Sequence, residues 1–276
     1  VARRKRMKPL NIVFCVKPVP DSRYWDKLSL DPNTKLLRRE GIPIIMNPLD
    51  RNAIEEALKI KEERGGKITV VSMGPDSTFD VLAWAYAMGV DDAVLLSDRA
   101  FAGADTLATA YVIASGIKKT GEVDMVILGN ESLDGSTAQV GPQVAEFLGM
   151  PHLTNVEGIN FIDEDTVHVK CKIEGGHMIV ESKLPVTLAV NSEINDPRIP
   201  PVHGALWATE KESTKYTAND MDVDEEKIGL AGSPSYVPEV SNIETQRMGE
   251  VISGDPVDIA RQLIEKLKTD GVLPEV

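Results

Sequence analysis

Cysteine is nearly absent. The 276 residues include two, Cys15 and Cys171. Neither belongs to a Cys-x-x-Cys pair, so a thiolate metal or redox centre has no ligand set. Both sit in apolar, strand-like runs and read as buried thiols in a reducing cytoplasm. Histidine is equally thin: His152, His168, His177 and His203 are scattered without ligand spacing, and no metal is assigned. No apolar run approaches the roughly 20 residues that cross a bilayer, so no direct membrane span is expected. Cations are outnumbered, with 30 Lys+Arg against 43 Asp+Glu and a formal net charge of −13, which argues against non-specific nucleic-acid binding. The exception is the basic tip, Arg3, Arg4, Lys5, Arg6 and Lys8. No apolar h-region follows it, so a secretory signal is not expected. It reads as a disordered tail, with a nucleic-acid arm as the alternative. No Ser/His/Asp or paired-carboxylate constellation stands out, so any chemistry belongs to a bound cofactor that the protein positions.

What the chain does have is a repeated alternation of short apolar runs and amphipathic stretches. A strand at residues 10–16 ends at Lys17-Pro18-Val19-Pro20, where the prolines remove ladder donors. A short hairpin is expected near Asp31-Pro32-Asn33. Asn47 or Asp50 then caps a helix with the apolar stripe Ile54, Ala57, Leu58 and Ile60, closed by Arg64-Gly65-Gly66. Strands at 67–74 and 92–96, each followed by a helix (about 77–88 and up to Ile117), precede a strand at 123–128 and a helix at 137–148. This alternation specifies a parallel sheet with helices on both faces and right-handed crossovers.

Ligands of such sheets bind beyond the carboxyl ends of the strands. Four loops rich in small residues fall there: Val16-Lys17-Pro18, Ser72-Met73-Gly74, residues 102–106 and residues 129–140. The last, Gly129-Asn130-Glu131-Ser132-Leu133-Asp134-Gly135-Ser136-Thr137-Ala138-Gln139-Val140, has the strand–loop–helix layout in which N–H groups meet a phosphate. Its glycines permit close backbone approach, and Ser136, Thr137 and Gln139 offer donors. Any one of these loops could be a mere turn; the four together read as a nucleotide site.

After Leu153 the pattern changes. Residues 166–173 and 177–181 alternate around Glu174-Gly175-Gly176, an antiparallel hairpin, and 184–190 is apolar enough for a central strand. Residues 191–250 form a long, weakly periodic arm, of a kind that binds something or wraps a partner. A final helix, capped by Asp255-Pro256, presents Ala260, Leu263, Ile264 and Leu267, either to the chain's own core or to another subunit. The expected domains are therefore a nucleotide-binding α/β domain with a hairpin excursion (1–190), an extended partner-binding arm (191–250) and a docking C-terminal helix (251–276).

With these residues assembled, the chain resembles the beta subunit of electron-transfer flavoprotein from Met7 to the C-terminus. The motifs that carry the resemblance are Cys15-Val16-Lys17-Pro18-Val19-Pro20-Asp21, Met46-Asn47-Pro48, Val71-Ser72-Met73-Gly74-Pro75, the 129–142 loop, Glu174-Gly175-Gly176 with Leu184-Pro185-Val186, and Asp196-Pro197-Arg198. The resemblance implies a Rossmann-like, doubly wound, mainly parallel sheet of the adenine-nucleotide alpha-hydrolase-like kind, with an antiparallel hairpin, an extended C-terminal arm and a helix. It also implies a heterodimer with an FAD-bearing alpha subunit. In most members the beta chain holds AMP. In the electron-bifurcating branch the same site takes a second FAD, which accepts electrons from NADH and divides them between the alpha-subunit FAD and a low-potential acceptor such as ferredoxin or flavodoxin.

Two segments are similar to the bifurcating branch: Ala102-Gly103-Ala104-Asp105-Thr106-Leu107-Ala108-Thr109 and residues 134–142. An extra carboxylate at 135 or 136 would repel a pyrophosphate at short range, and Gly135 and Ser136 supply none. Two departures stand out: Ser136 replaces an Asp common in that branch, and Asn130-Glu131-Ser132 replaces a more usual Arg-Gln-Ala. The resemblance places the backbone around Cys15 and Val16, and Asn47, against the adenosine half, Ser72, Met73 and Gly74 beside the ring or ribityl chain, and Asp105 and Thr106 at the flavin end or its ribityl hydroxyls. Gly129, Asp134, Gly135, Ser136, Thr137, Ala138, Gln139 and Val140 would hold phosphates and ribose. Asp134 and Asn47 have helix capping as an alternative or additional role. Val202 matches the family's recognition loop, which docks a partner dehydrogenase or quinone oxidoreductase; a solvated linker is the other reading of that segment. The expected location is the cytoplasm, with any membrane association through partner subunits.

Overall fold

The structure is a computed structural model in which residues 8–27, 29–30, 37–38, 41–235 and 249–274 are described. The chain runs β1 (Leu10–Cys15), the short strands β2 (Pro18–Pro20), β3 (Ser29–Leu30), β4 (Leu37–Arg38) and β5 (Ile44–Met46), and then α1 (Pro48–Arg64). It continues through β6 (Gly66–Met73), α2 (Phe79–Met88), β7 (Asp92–Leu96), α3 (Thr106–Lys119), β8 (Met125–Gly129) and α4 (Val140–Leu148). The strands β9 (His152–Phe161), β10 (Thr166–Ile173), β11 (Gly176–Lys183) and β12 (Val186–Val190) follow, then α5 (Val202–Ala208), β13 (Thr214–Tyr216) and α6 (Pro256–Thr269).

Nine of these strands form one sheet in the order β11-β10-β9-β12-β8-β1-β6-β7-β13. From β9 to β13 every pairing is parallel, while β10 is antiparallel to both β9 and β11. This is the doubly wound α/β architecture that the alternation specifies. The period of two along β1 shows why both faces are covered. Leu10, Ile12 and Phe14 point into a core closed by Ile54, Ala57 and Leu58 of α1 and Leu82, Ala85 and Tyr86 of α2. Val13 and Cys15 point into the opposite core, against Ala110, Ile113 and Ile117 of α3 and Val144 of α4. Cys15 and Cys171 are both free and buried.

Several elements differ from the sequence expectation. The expected hairpin near residue 32 is present as the β3–β4 ladder; its turn, like the basic residues before Met7, lies outside the described residues. Strand β9 is an addition, and it makes the hairpin excursion three-stranded. Its alternation is broken by a bulge: Asn155 has a φ of 54°, and the β12–β9 register shifts beside it, so the period of two cannot be followed through it. Helix α4 starts at Val140 rather than 137, because Ser136 and Ala138 are in the left-handed region, with φ of 46° and 52°.

The arm is also more ordered than its composition suggests. Asn195 exchanges hydrogen bonds with Asn52 of α1 and donates to Glu56 of the same helix, and Arg198 makes a two-pronged contact with Glu55, Nε–Oε2 2.8 Å and Nη2–Oε1 3.0 Å. Helix α5 then packs on α2, with Tyr86 and Trp207 edge to face at 6.3 Å. Strand β13 extends the sheet beside β7, Ile228 is buried on the α3 side, and Ser233 and Ser235 reach Asp105. Through residue 235 the segment is strapped around its own domain. Residues Val240–Val276 form a second compact unit, in which Asp255 caps α6 through the Val257 N–H and no described residue is buried.

Gly204 seats the strap: a Cβ there would stand 2.1 Å from the Ala87 carbonyl oxygen. Gly204→Ala is therefore expected to cost about 1–3 kcal/mol by overpacking, read as a lower denaturant midpoint. An unchanged midpoint would mean that α5 is not seated on α2.

Candidate functional site

The sheet reverses its winding at β1. From there the chain steps outward through β6 and β7, then returns to β8 on the other side of β1. The crevice outside the carboxyl ends of β1 and β8 is the topological switch point, where open α/β sheets bind ligands. One buried carboxylate builds it. Asp50, the third residue of α1, accepts hydrogen bonds from the Lys17 N–H at 2.8 Å through Oδ2, and from the Asn47 amide at 3.0 Å and the Gly129 N–H at 3.1 Å through Oδ1. It thereby ties together the ends of both central strands. Burial pushes the Asp50 carboxyl up to about 7, against the three donors, which favour its charged form.

Asn47 carries the bracing outward. Its amide donates to the Glu131 carbonyl at 2.9 Å and accepts from the Leu133 N–H at 3.0 Å. Beyond Leu133 the loop folds on itself through Ser136 N–H to Ser132 O, 2.8 Å. The left-handed Ser136 and Ala138 flank Thr137, and backbone that alternates hand in this way forms a concave set of N–H groups suited to an anion. Helix α4 begins directly behind it, with no side chain capping its first turn, so its amino-terminal dipole is open to a negative group. Lys17 lies over the loop, its Nζ 2.6 Å from Asp134 Oδ1 and 3.1 Å from Ser132 Oγ. Burial raises the Asp134 carboxyl, but Lys17 outweighs it and holds the group below its usual range. Thr106 Oγ1, at the start of α3, donates to Gln139 Oε1 at 3.1 Å. Beyond the ends of β6 and β7 a cavity of about 510 Å³ opens, lined by Met73, Gly74, Ser97, Arg99, Phe101 and Ala102.

A family model described as "Electron transfer flavoprotein domain" matches residues 34–226. The electron transfer flavoprotein subunit beta of Clostridium acetobutylicum is 46% identical over 95% of this chain and 99% of its own. The caffeyl-CoA reductase-Etf complex subunit CarD of Acetobacterium woodii is 41% identical over 96% of this chain and 100% of its own. Protein FixA of Azorhizobium caulinodans is 40% identical over 84% of each chain. This chain belongs to the electron transfer flavoprotein beta-subunit family.

In this beta-subunit fold the residues singled out from the sequence fall into three groups. Gly135, Ser136, Thr137, Ala138 and Gln139, with Val140 behind them, form the rim of the switch-point crevice; the Ser136 N–H and hydroxyl both donate to the Ser132 carbonyl, at 2.8 and 3.2 Å, which leaves the Thr137 hydroxyl as the rim's hydroxyl donor. Met73 and Gly74 line the neighbouring cavity, and Thr106 is joined to the rim through Gln139. The third group makes hydrogen bonds or apolar contacts within the protein. Cys15 and Val16 are buried at the end of β1, and burial, with the Asp50 charge second, pushes the Cys15 thiol up to about 12, so it stays protonated. Ser72 is buried and donates to the Val16 carbonyl at 2.7 Å.

Gly129 gives its N–H to Asp50 rather than to a phosphate, and a Cβ there would meet Asp50 Oδ1 at 2.4 Å. Asn47 occupies the cap position of α1 but makes no capping bond; its amide is fully used on Asp50 and the loop. Asp105 caps α3 through the Leu107 and Ala108 N–H groups and accepts from Ser235 with its other oxygen. Asp134 does not cap α4; it faces Lys17. Val202 lies elsewhere, at the start of α5, 82% exposed.

Sequence reasoning missed Asp50 as a site builder and Lys17 as a site cation. The available signals were an acid in the first turn of a helix that follows a strand end, and a lysine directly after that strand.

The raised Asp50 group sets a pH dependence. A carboxyl whose folded value lies above its unfolded value stabilises fully below the unfolded one and loses that contribution as pH rises through the folded one. Asn in its place keeps one acceptor for three donors, so Asp50→Asn is expected to cost about 1–3 kcal/mol near neutrality. Measured by denaturant unfolding, wild type should lose stability relative to the variant as pH rises from about 4 to about 7. Parallel curves would refute the burial assigned to this group.

Proposed function

We propose that this chain is the beta subunit of a heterodimeric electron-transfer flavoprotein whose switch-point crevice holds FAD, and that the complex is electron-bifurcating. The observation that carries the reading is the loop from Asp134 to Val140. It has two left-handed residues, hydroxyls at Ser136 and Thr137, no carboxylate at 135 or 136, and an uncapped helix behind it. The cavity of about 510 Å³ beside Met73 and Gly74 is where we assign the part of FAD beyond the first phosphate, at which a mononucleotide would end.

The donor set fits the group. The Thr137 hydroxyl and the backbone N–H groups of Gly135 and 137–140 would take the pyrophosphate, with Lys17 supplying the nearby positive charge. Met73, Gly74 and Ala102 would border the ribityl chain and the ring. Bound there, FAD supplies two-electron acceptance from NADH and one-electron delivery to the alpha-subunit FAD and to a low-potential acceptor such as ferredoxin or flavodoxin. The protein's own part is to orient the cofactor and to exclude competing charge, since an added carboxylate at short range would repel the phosphates. That CarD is named as a subunit of a reductase–Etf complex supports a life in a larger assembly. The exposed Ile199, Val202 and Leu206 around the start of α5 are the surface we assign to a partner dehydrogenase or quinone oxidoreductase. Among the described residues no helix is long and apolar enough to cross a membrane; we place the complex in the cytoplasm, with any membrane association through partner subunits.

Co-expression with the alpha subunit, cofactor extraction and NADH titration test this. Two FAD per heterodimer and bleaching of both by NADH are expected. One FAD with one AMP, and no bleaching, would overturn the FAD reading in favour of a structural AMP.

A further inference from the structure

Lys17 and Asp134 form a cation–carboxylate pair directly over the loop assigned to phosphates. Lys17 is pinned at its base, since its backbone N–H is held by Asp50 and its carbonyl accepts from the Asn47 N–H at 3.0 Å. Its side chain then crosses Gly135, where a Cβ would stand 3.9 Å from Nζ. The ammonium ends 2.6 Å from Asp134 Oδ1 and 3.1 Å from Ser132 Oγ. The lysine side chain is 49% exposed and the aspartate side chain 21% exposed, so an exposed cation leans on a more sheltered anion at the mouth of the crevice.

A pair so placed is a weak stabiliser, because an exposed ion pair contributes little in water. Its position gives it another consequence. A phosphate seated on the N–H groups of Gly135 and 137–140 meets an attractive charge in Lys17 and a repulsive one in Asp134. The two residues therefore act on the ligand with opposite sign, although they bond to each other.

We propose that Lys17 and Asp134 are specificity-determining residues that set the preference of this crevice for ligands carrying a phosphate. Lys17 is the attractive element, and Asp134 competes with the incoming phosphate for the same ammonium. The inference rests on the nucleotide site described above, but it holds for any adenylate-bearing occupant, whether FAD or AMP. It assigns Asp134 a role opposite to that of a phosphate ligand. Ser132, which also accepts from Lys17, keeps the ammonium over the loop when the carboxylate lets go.

The test uses the heterodimer with its alpha subunit, dialysed free of the beta-site ligand, and compares AMP with adenosine, which differ only in the phosphate. Calorimetric titration of Lys17→Gln is expected to show AMP affinity reduced about tenfold or more, in line with the loss of one charge-assisted hydrogen bond, and adenosine affinity unchanged. Lys17→Arg should recover most of the AMP affinity. Asp134→Asn should tighten AMP several-fold and leave adenosine alone. A pair that only props the loop gives losses of the same sign in both variants and for both ligands. That result, or an Asp134→Asn variant that fails to tighten AMP, or a Lys17→Gln variant that retains it, overturns the proposal. A wild-type heterodimer that binds neither AMP nor FAD overturns the nucleotide reading along with it. Wild-type binding without the sign inversion overturns only the selector.

Discussion

The site depends on a carboxylate that has left water. Asp50 sits 4% exposed between the carboxyl ends of β1 and β8, and its three partners are all donors. Desolvating a carboxylate is expensive unless it is hydrogen-bonded. Two of those donors are backbone N–H groups at strand ends that would otherwise face the crevice unpaired. The carboxylate and the strand ends therefore satisfy each other, and neither arrangement is stable alone. The position on α1 helps, because a negative group in the first turn of a helix lies at the positive end of its dipole. The consequence for function is geometric. The two strands that diverge at the switch point are held at a fixed separation by one side chain, and the loops leaving them start from fixed places.

The strap formed by residues 195–235 acts on the opposite rim. Its polar bonds to α1 through Asn195 and Arg198, its apolar seat on α2, its added strand beside β7 and its serines on Asp105 link four elements in turn. Asp105 illustrates the coupling. One oxygen caps α3 and the other is held by Ser235, so the start of α3 is tied both to its own first turn and to the end of the strap. Because Thr106 bonds Gln139, that restraint passes on to the 129–140 loop. A segment that looks like a linker by composition is thus part of the site's frame. Its outward face leaves Ile199, Val202 and Leu206 exposed.

How much of the fold and site was legible depends on where local pattern and tertiary constraint coincide. The parallel strands could be read because burial on both faces leaves nearly unbroken apolar runs, as in residues 125–129, all of them buried. The convergence of the loops on one edge then came from winding alone. Strand β9 could not be read, since Asn155 reverses its alternation halfway along. Helix α5 could not either, because two prolines precede its seven residues, too few to show a helical period. At the site the small, donor-bearing residues were visible by type. Their bonds within the scaffold were not, because Asn47, Gly129 and Asp105 have the composition of ligand contacts and also bond Asp50, the loop and Ser235. Lys17 was hidden for the converse reason: a lysine beside prolines after a strand reads as solvated surface until the fold brings Asp134 beneath it.

The left-handed residues of the loop join these observations. Ser136 and Ala138 have side chains that pay for positive φ, at about 1–2 kcal/mol each, where glycine would not. Such strain persists only where the surroundings over-determine the backbone, and here they do. Asn47 holds residues 131 and 133, Ser132 holds 136, Lys17 holds 132 and 134, and Thr106 holds 139. The concave row of N–H groups is consequently set during folding rather than on ligand arrival. Ordering that is already complete does not have to be supplied by a binding step. In a chain of net charge −13, that pre-set backbone and one pinned ammonium are the features on which the proposed anion site rests.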